Sequence, residues 1–243
     1  MWAGRELTIY MLITKYDYAP MSRQTVNGSR HYMTPGNKPL PSVTTILDKT
    51  KPEESRRALQ EWRDRIGHEK AQQITTEAAS RGTRMHSYLE YYIKNGEMKE
   101  LPSNPFAQPS WFMAGQVILE AFAHVNEFWG VEVPVYYPDL YAGTTDCVGV
   151  WKGKPAIIDF KQSNKVKKRE WIDDYFLQLG AYSLAHDQMH GTNIDQGVIL
   201  MCVKPEKETA TPKFLSFEVS GKEFDNYKDQ WIQRVNQYYS ELP

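Results

Sequence analysis

The chain has 243 residues, 41% hydrophobic and 24% charged, enough to bury the core of one large domain or two small ones. Its formal net charge of −1 excludes a uniformly basic polyanion binder, although nucleic-acid binding depends on where charge sits rather than on its sum. No run is long and apolar enough to cross a membrane, and with only Cys147 and Cys202 the chain cannot build a four-cysteine zinc site or iron–sulfur cluster.

In chain order, the opening MWAGRELTIYMLITKYDY is partly apolar but carries Glu6 and Asp17 and lacks a small-residue cleavage site. It reads neither as a signal peptide nor as an Arg-rich transit peptide, with Met11 an alternative start. The expected compartment is the cytoplasm of a bacterial or phage-infected cell. Residues 1–40 contain turn formers at Asn27-Gly28 and Pro35-Gly36, predicting an arm or hairpin, and 41–243 are expected to form one domain. A helical region is introduced at 42–47. Pro52, Glu53 and Glu54 then open a helical stretch that reaches about residue 93, with a break near Gly67.

Residues 110–129 are predicted as one amphipathic helix, because Trp111, Ala114, Ile118, Ala121, Phe122, Val125 and Phe128 recur at helical spacing. Beyond Gly130 the period changes: VEVPVYY, YAGTTDCVGVW and PAIIDFK read as strands joined by short turns. Residues 171–189 return to helical periodicity, QGVILMCV and KFLSFEV are two more strands, and 222–242 are a last helix. The order predicts an α/β fold (mixed α+β), a central mixed β-sheet flanked by helices with an N-terminal helical elaboration.

Chemistry concentrates in the β-rich block. Along IIDFK, side-chain alternation puts Asp159 and Lys161 on one face and Ile158 and Phe160 on the other. The short turn at Gly153 makes the preceding strand an antiparallel neighbour, so Asp146 is expected to approach Asp159 at an edge of the sheet. Two carboxylates with few other donors suit a hard cation such as Mg2+ or Mn2+. The competing interpretation is an exposed Asp159–Lys161 ion pair, worth roughly 0–1 kcal/mol. Two helical pairs add weight: His86 and Glu90, then Gln178 and Tyr182, each four apart and so on one helix face.

The order G-T-x-x-H-x-x-x-E, A-G-T-x-D, I-I-D-x-K and Q-x-x-x-Y resembles the RecB-like branch of the PD-(D/E)XK nuclease superfamily. It is similar more narrowly to the mitochondrial genome maintenance exonucleases and their phage and bacterial relatives. PSVTTIL, ALQEWRDR and RGTRMHSYLE add to the likeness, which runs from about Pro41 to about Gly191. The resemblance implies a PD-(D/E)XK core in which Asp146, Asp159 and the Phe160 carbonyl bind metal with His86. It implies Lys161 as catalytic lysine, Glu90 nearby, and Gln178 and Tyr182 beside the site. Where the family often has Lys-Thr-Ser, this chain has Lys161, Gln162 and Ser163.

With a site placed there, the basic run that follows reads as a phosphate-binding track. In KQSNKVKKRE five basic residues face one acid, and Ser163, Lys165, Lys167, Lys168 and Arg169 are the expected DNA contacts. Trp171 or Tyr175 either stacks on bases or packs in the core. The resemblance implies an Mg2+- or Mn2+-dependent exonuclease acting on single-stranded DNA from free ends, alongside replication or recombination proteins. A structure-specific or duplex endonuclease on the same core, and a non-catalytic DNA-binding scaffold, are the rivals.

Overall fold

The structure, a computed structural model, describes residues 12–206 and 210–241. Glu6, the alternative start at Met11, and Leu242 at the end of the last predicted helix lie outside the described residues. Strands β1 (Ser22–Val26) and β2 (Ser29–Met33) form an antiparallel hairpin. Its two-residue turn needs positive φ at both positions to follow the twist of the strands; Asn27 and Gly28 supply 49° and 74°. Strand β3 (Pro39–Pro41) completes a small sheet, held to the body where Tyr32 and Leu40 bury against Ala142.

Helix α1 (Val43–Lys49) starts where Ser42 Oγ accepts the Thr45 N–H at 3.0 Å. Helix α2 (Glu53–Ile66) places Glu53 and Glu54 at its positive end and buries none of its residues. After Gly67 the chain enters α3 (His68–Asn95), and α4 (Gln108–Ala121) packs beside it.

The helix predicted over 110–129 ends early. A short 3-10 turn covers Phe122–His124, and β4 (Val125–Tyr137) begins where helix was expected. Val125, Phe128 and Val131 are buried in one cluster although they are three apart. The register of β4 shifts between Val125 and Glu127 and again between Phe128 and Gly130. Each irregularity adds a residue to the strand and restores the inward face one position late, so a helical spacing is produced by a bulged strand.

Strands β5 (Tyr141–Trp151) and β6 (Lys154–Ser163) follow, then α5 (Asp173–His190), β7 (Gln196–Val203), β8 (Lys213–Ser220) and α6 (Gly221–Ser240). The main sheet has the order β4-β5-β6-β7-β8; β6 and β7 are parallel, connected through α5, and the other pairs are antiparallel. One face packs on α3 and α4 through Ile158, Phe160, Val198 and Leu200. The other packs on α1, α5 and α6 through Val148, Ile157, Ile199 and Met201. The fold is thus a central mixed sheet between two helical layers. Cys147 and Cys202 are buried and free, and burial pushes both thiols up, Cys202 to about 12.

Candidate metal centre

Pairing between β5 and β6 runs from Trp151↔Lys154 to Cys147↔Ile158 and goes no further. Strand β6 continues against β7 as far as Ser163, so beyond Ile158 it keeps a neighbour on one side only. Asp146 fills the opening: its Oδ2 accepts the Phe160 N–H at 2.8 Å, and the Phe160 carbonyl lies 2.8 Å from His86 Nε2. Because β5 and β6 are interior strands, the acids meet in mid-sheet where the ladder parts, not at the edge expected from sequence.

Asp159 and Lys161 turn away from the α3–α4 layer that holds Ile158 and Phe160. Asp159 is only 1% exposed, with its Oδ2 2.5 Å from Lys161 Nζ, so a solvent-exposed ion pair does not describe this contact. Removing a carboxylate from water is costly even when it is paired, which makes Asp159 a poor choice for stability alone. Burial raises its pKa to about 6, with Asp146 adding to the rise and Lys161 opposing it. Lys161 is half-buried at the cleft, and although burial opposes its charge, Asp159 and Asp146 hold its pKa above the ordinary lysine value.

Helix α5 fixes the lysine. Lys161 Nζ donates to Gln178 Oε1 at 3.2 Å, Gln178 Nε2 donates to Tyr182 Oη at 3.0 Å, and the ammonium sits 4.9 Å from the centre of the Tyr175 ring. Gln178 and Tyr182 share a helix face by their four-residue spacing. Tyr182 fits because position 143 is glycine: a Cβ there would lie 2.6 Å from the ring. Helix α3 is tied to the end of β6 by Arg81, whose guanidinium donates to Gln162 at 3.0 Å and also to Asn164. Gln162, where the family often has threonine, serves in this anchor.

Sequence reasoning missed Glu132. It lies on β4 between the pairs Val131↔Cys147 and Val133↔Thr145, opposite Asp146. Its φ of 51° is unusual for a residue with a side chain and costs about 1–2 kcal/mol. Its Oε1 is 3.6 Å from His86 Nδ1, and Asp146 Oδ1 is 3.5 Å from the same nitrogen. Ligand atoms of His86, Glu132 and Asp146 all lie within 4.8 Å of one another. The available signal was a single acid inside the apolar run GVEVPV.

Burial disfavours a charged His86, but Asp146 and Glu132 outweigh it and push its pKa up to about 10. Asp146 goes the other way: burial opposes ionisation, and His86, Lys161 and the Phe160 N–H pull its carboxyl below the ordinary value. These directions describe a centre with surplus negative charge. His86 is an imidazolium in the metal-free protein; as a metal ligand it would be neutral, and the carboxylates of Glu132, Asp146 and Asp159 against the ammonium of Lys161 would then leave two negative charges. That is the complement of a divalent cation, and the donors, carboxylate and carbonyl oxygens with one imidazole, suit Mg2+ or Mn2+.

The centre opens into a cleft of about 440 Å³ lined by His86, Glu90, Glu132, Asp146, Lys161, Gln178 and Tyr182. Glu90 is one turn from His86 but pairs with Lys94 at 2.6 Å and stands outside the ligand cluster. None of Ser163, Lys165, Lys167, Lys168 or Arg169 lines the cleft. Ser163 is buried and donates to the Lys165 carbonyl at 2.6 Å; Arg169 is held by Glu223 at 2.5 Å and by the Glu218 carbonyl at 3.0 Å. Lys168 lies 3.7 Å from Glu170 and over Trp171, which is 60% exposed and therefore not core.

The mixed sheet and this centre are consistent with the resemblance to PD-(D/E)XK nucleases that the motifs carry. The particular similarity is to mitochondrial genome maintenance exonuclease 1. The human protein is 28% identical over 210 residues, 82% of this chain and 58% of the relative. The mouse protein is 29% identical over 208 residues (82% and 59%), and that of Xenopus tropicalis 27% over 223 (86% and 60%). The chain therefore spans about three fifths of the length of these relatives. No family model matches. A crystal structure from Eubacterium rectale, assigned as an exonuclease, aligns with TM-score 0.46 and 14% identity, covering 68% of this chain and 65% of that one.

Proposed function

We propose that this chain is a divalent-cation-dependent deoxyribonuclease that removes nucleotides from the free ends of single-stranded DNA, in replication, repair or recombination. The observation that carries the reading is the convergence of His86, Asp146, Asp159 and the Phe160 carbonyl at the parting of β5 and β6, with Lys161 held against Asp159. The names of the curated relatives support exonuclease action. Residues 41–243 act in this reading as one nuclease domain, with 1–40 as an arm.

His86, Asp146, Asp159 and the Phe160 carbonyl would hold Mg2+ or Mn2+, with Glu132 against the imidazole. The cation would polarise the scissile phosphodiester and acidify a water. Asp146 and Glu132 orient His86, the Phe160 N–H fixes Asp146, and Asp159 holds Lys161 at the mouth of the gap. Lys161, kept protonated by the two aspartates, presents an ammonium to the charge that develops on the phosphoryl oxygens and to the attacking water. Gln178 and Tyr182 keep that ammonium in place.

The test uses end-labelled linear single-stranded and duplex DNA and internally labelled closed circular single-stranded DNA, each with Mg2+ and with chelator. Mononucleotide or short-oligomer release from linear single strands, abolished by chelator, is the expected result. Cleavage of circles would replace the exonuclease reading by an endonuclease one, and cleavage that persists in chelator would refute metal dependence.

A further inference from the structure

Part of the lining of the same cleft comes from the small N-terminal sheet, which contributes Arg23, Arg30 and Tyr32. In the β1–β2 register Arg23 faces Tyr32 and Thr25 faces Arg30, so both arginines and the tyrosine share one face of the hairpin. Arg23 and Arg30 are diagonal neighbours on that face, about 7–8 Å apart at the backbone. A protein that needed only a solvated edge would not aim two guanidinium groups into a concave wall. Among the described residues neither forms an ion pair, although Glu90, Glu132 and Asp146 line the same cleft.

The hairpin is fixed relative to the centre. The Arg30 carbonyl accepts the Ser42 N–H at 3.0 Å and the Thr45 hydroxyl at 2.9 Å. Buried Tyr32 places its hydroxyl 3.1 Å from Thr144 Oγ1, and the Arg23 guanidinium lies 5.7 Å from the Tyr32 ring and 3.5 Å from the same Thr144 oxygen. Thr144 precedes Asp146 by two residues on β5, so the contact is on the same strand face and about 7 Å along the strand from the metal carboxylate.

We infer that Arg23 and Arg30 form a phosphate clamp that holds the DNA backbone next to the scissile bond, so that the N-terminal hairpin, rather than the 165–169 run, is the principal backbone-binding element of the cleft. The inference rests on the nuclease reading and deepens it. Guanidinium groups that form no ion pair among the described residues, in a cleft that also holds the metal-centre carboxylates, are matched by an anion that bridges to the cation: a nucleic-acid phosphate beside a metal site. Such contacts carry affinity and salt dependence and read no sequence.

Fluorescence anisotropy of a labelled oligothymidylate in Ca2+ tests it, across a salt series. Arg23→Gln combined with Arg30→Gln should weaken binding about 10–100-fold and lower the salt slope by about 1.4, at roughly 0.7 per lost contact on a single strand. Arg23→Lys with Arg30→Lys should restore most of the slope, because charge is kept while the fork geometry is lost. A Lys165→Ala, Lys167→Ala, Lys168→Ala variant should lose clearly less. Unchanged affinity and slope in the glutamine variant, with wild type binding normally, overturn the clamp and leave the nuclease reading intact. A greater loss in the triple-lysine variant also overturns the clamp. Failure of wild type to bind or cleave DNA overturns both.

Discussion

Asp159 and Lys161 show how much one strand face demands of single side chains. A carboxylate at 1% exposure, 2.5 Å from a half-buried ammonium, gives up hydration that a surface pair would keep. Its retention makes sense as a site waiting for charge, and each neighbour should leave a distinct kinetic mark. Lys161→Ala should lower the cleavage rate at least about 10²–10³-fold, the range for loss of a preorganised electrostatic donor, and should also lower the thermal stability of the metal-free protein, because buried Asp159 loses its partner. Gln178→Ala removes the hydrogen bond that orients the lysine, and a 10–100-fold lower rate is expected with unchanged cation affinity. Glu132→Gln should do the reverse of that split: about 10–100-fold weaker Mn2+ binding by calorimetry, because the imidazole loses a partner that orients it. The shared strand face of Asp159 and Lys161 and the shared helix face of Gln178 and Tyr182 were legible from spacing, while their assignment to one site came from the family resemblance. Glu132 was not, because its recruitment depends on a positive φ and a cross-strand register that no local pattern encodes.

Whole elements explain which glycine and which strand matter. The end of the β5–β6 ladder at Cys147↔Ile158 makes the centre, and α5 packs over it only because Gly143 leaves room for Tyr182. Gly143→Ala places a Cβ 2.6 Å from that ring; the expected cost is about 1–3 kcal/mol in chemical denaturation, together with slower cleavage as the Gln178–Tyr182 pair shifts. Sequence pattern gave the type of nearly every element, since β7 is an apolar run after Gln196 and α3 is periodic over its length. It failed at the front of β4, where two register irregularities imitate helical spacing. The basic run at 165–169 is visible in sequence, whereas Arg23 and Arg30 become neighbours only when the hairpin folds over β5.

Across the molecule, two kinds of linkage should be measurable. His186 is fully buried, hydrogen-bonded to Tyr18 at 2.9 Å and Thr192 at 2.8 Å, and burial together with His190 lowers its pKa from 6.5 to about 3. The unfolded chain binds a proton there below pH 6.5 while the native protein does not, so stability must fall as pH falls from 6.5 towards 3. At pH 5 this amounts to about 2 kcal/mol. His86 acts oppositely in metal-free protein: raised to about 10, its contribution is fully present below pH 6.5 and is lost as pH rises towards 10. Asp159, raised to about 6, contributes a slope of opposite sign over part of this window, so the readout is the difference between wild type and His186→Gln, which should shift by about 2 kcal/mol against wild type as pH falls from 6.5 to 5. No helix among the described residues is long and apolar enough to cross a membrane.

Cation binding supplies the second linkage. At about a hundred times its dissociation constant a ligand stabilises by about 2.7 kcal/mol, roughly 5–10 °C in Tm for a chain of this size. The most direct test of the central claim is an Mn2+ titration followed by electron paramagnetic resonance, comparing wild type with Asp146→Asn and His86→Ala. The account predicts saturable binding in wild type that both substitutions weaken at least about tenfold. Equal Mn2+ binding by all three proteins would contradict it.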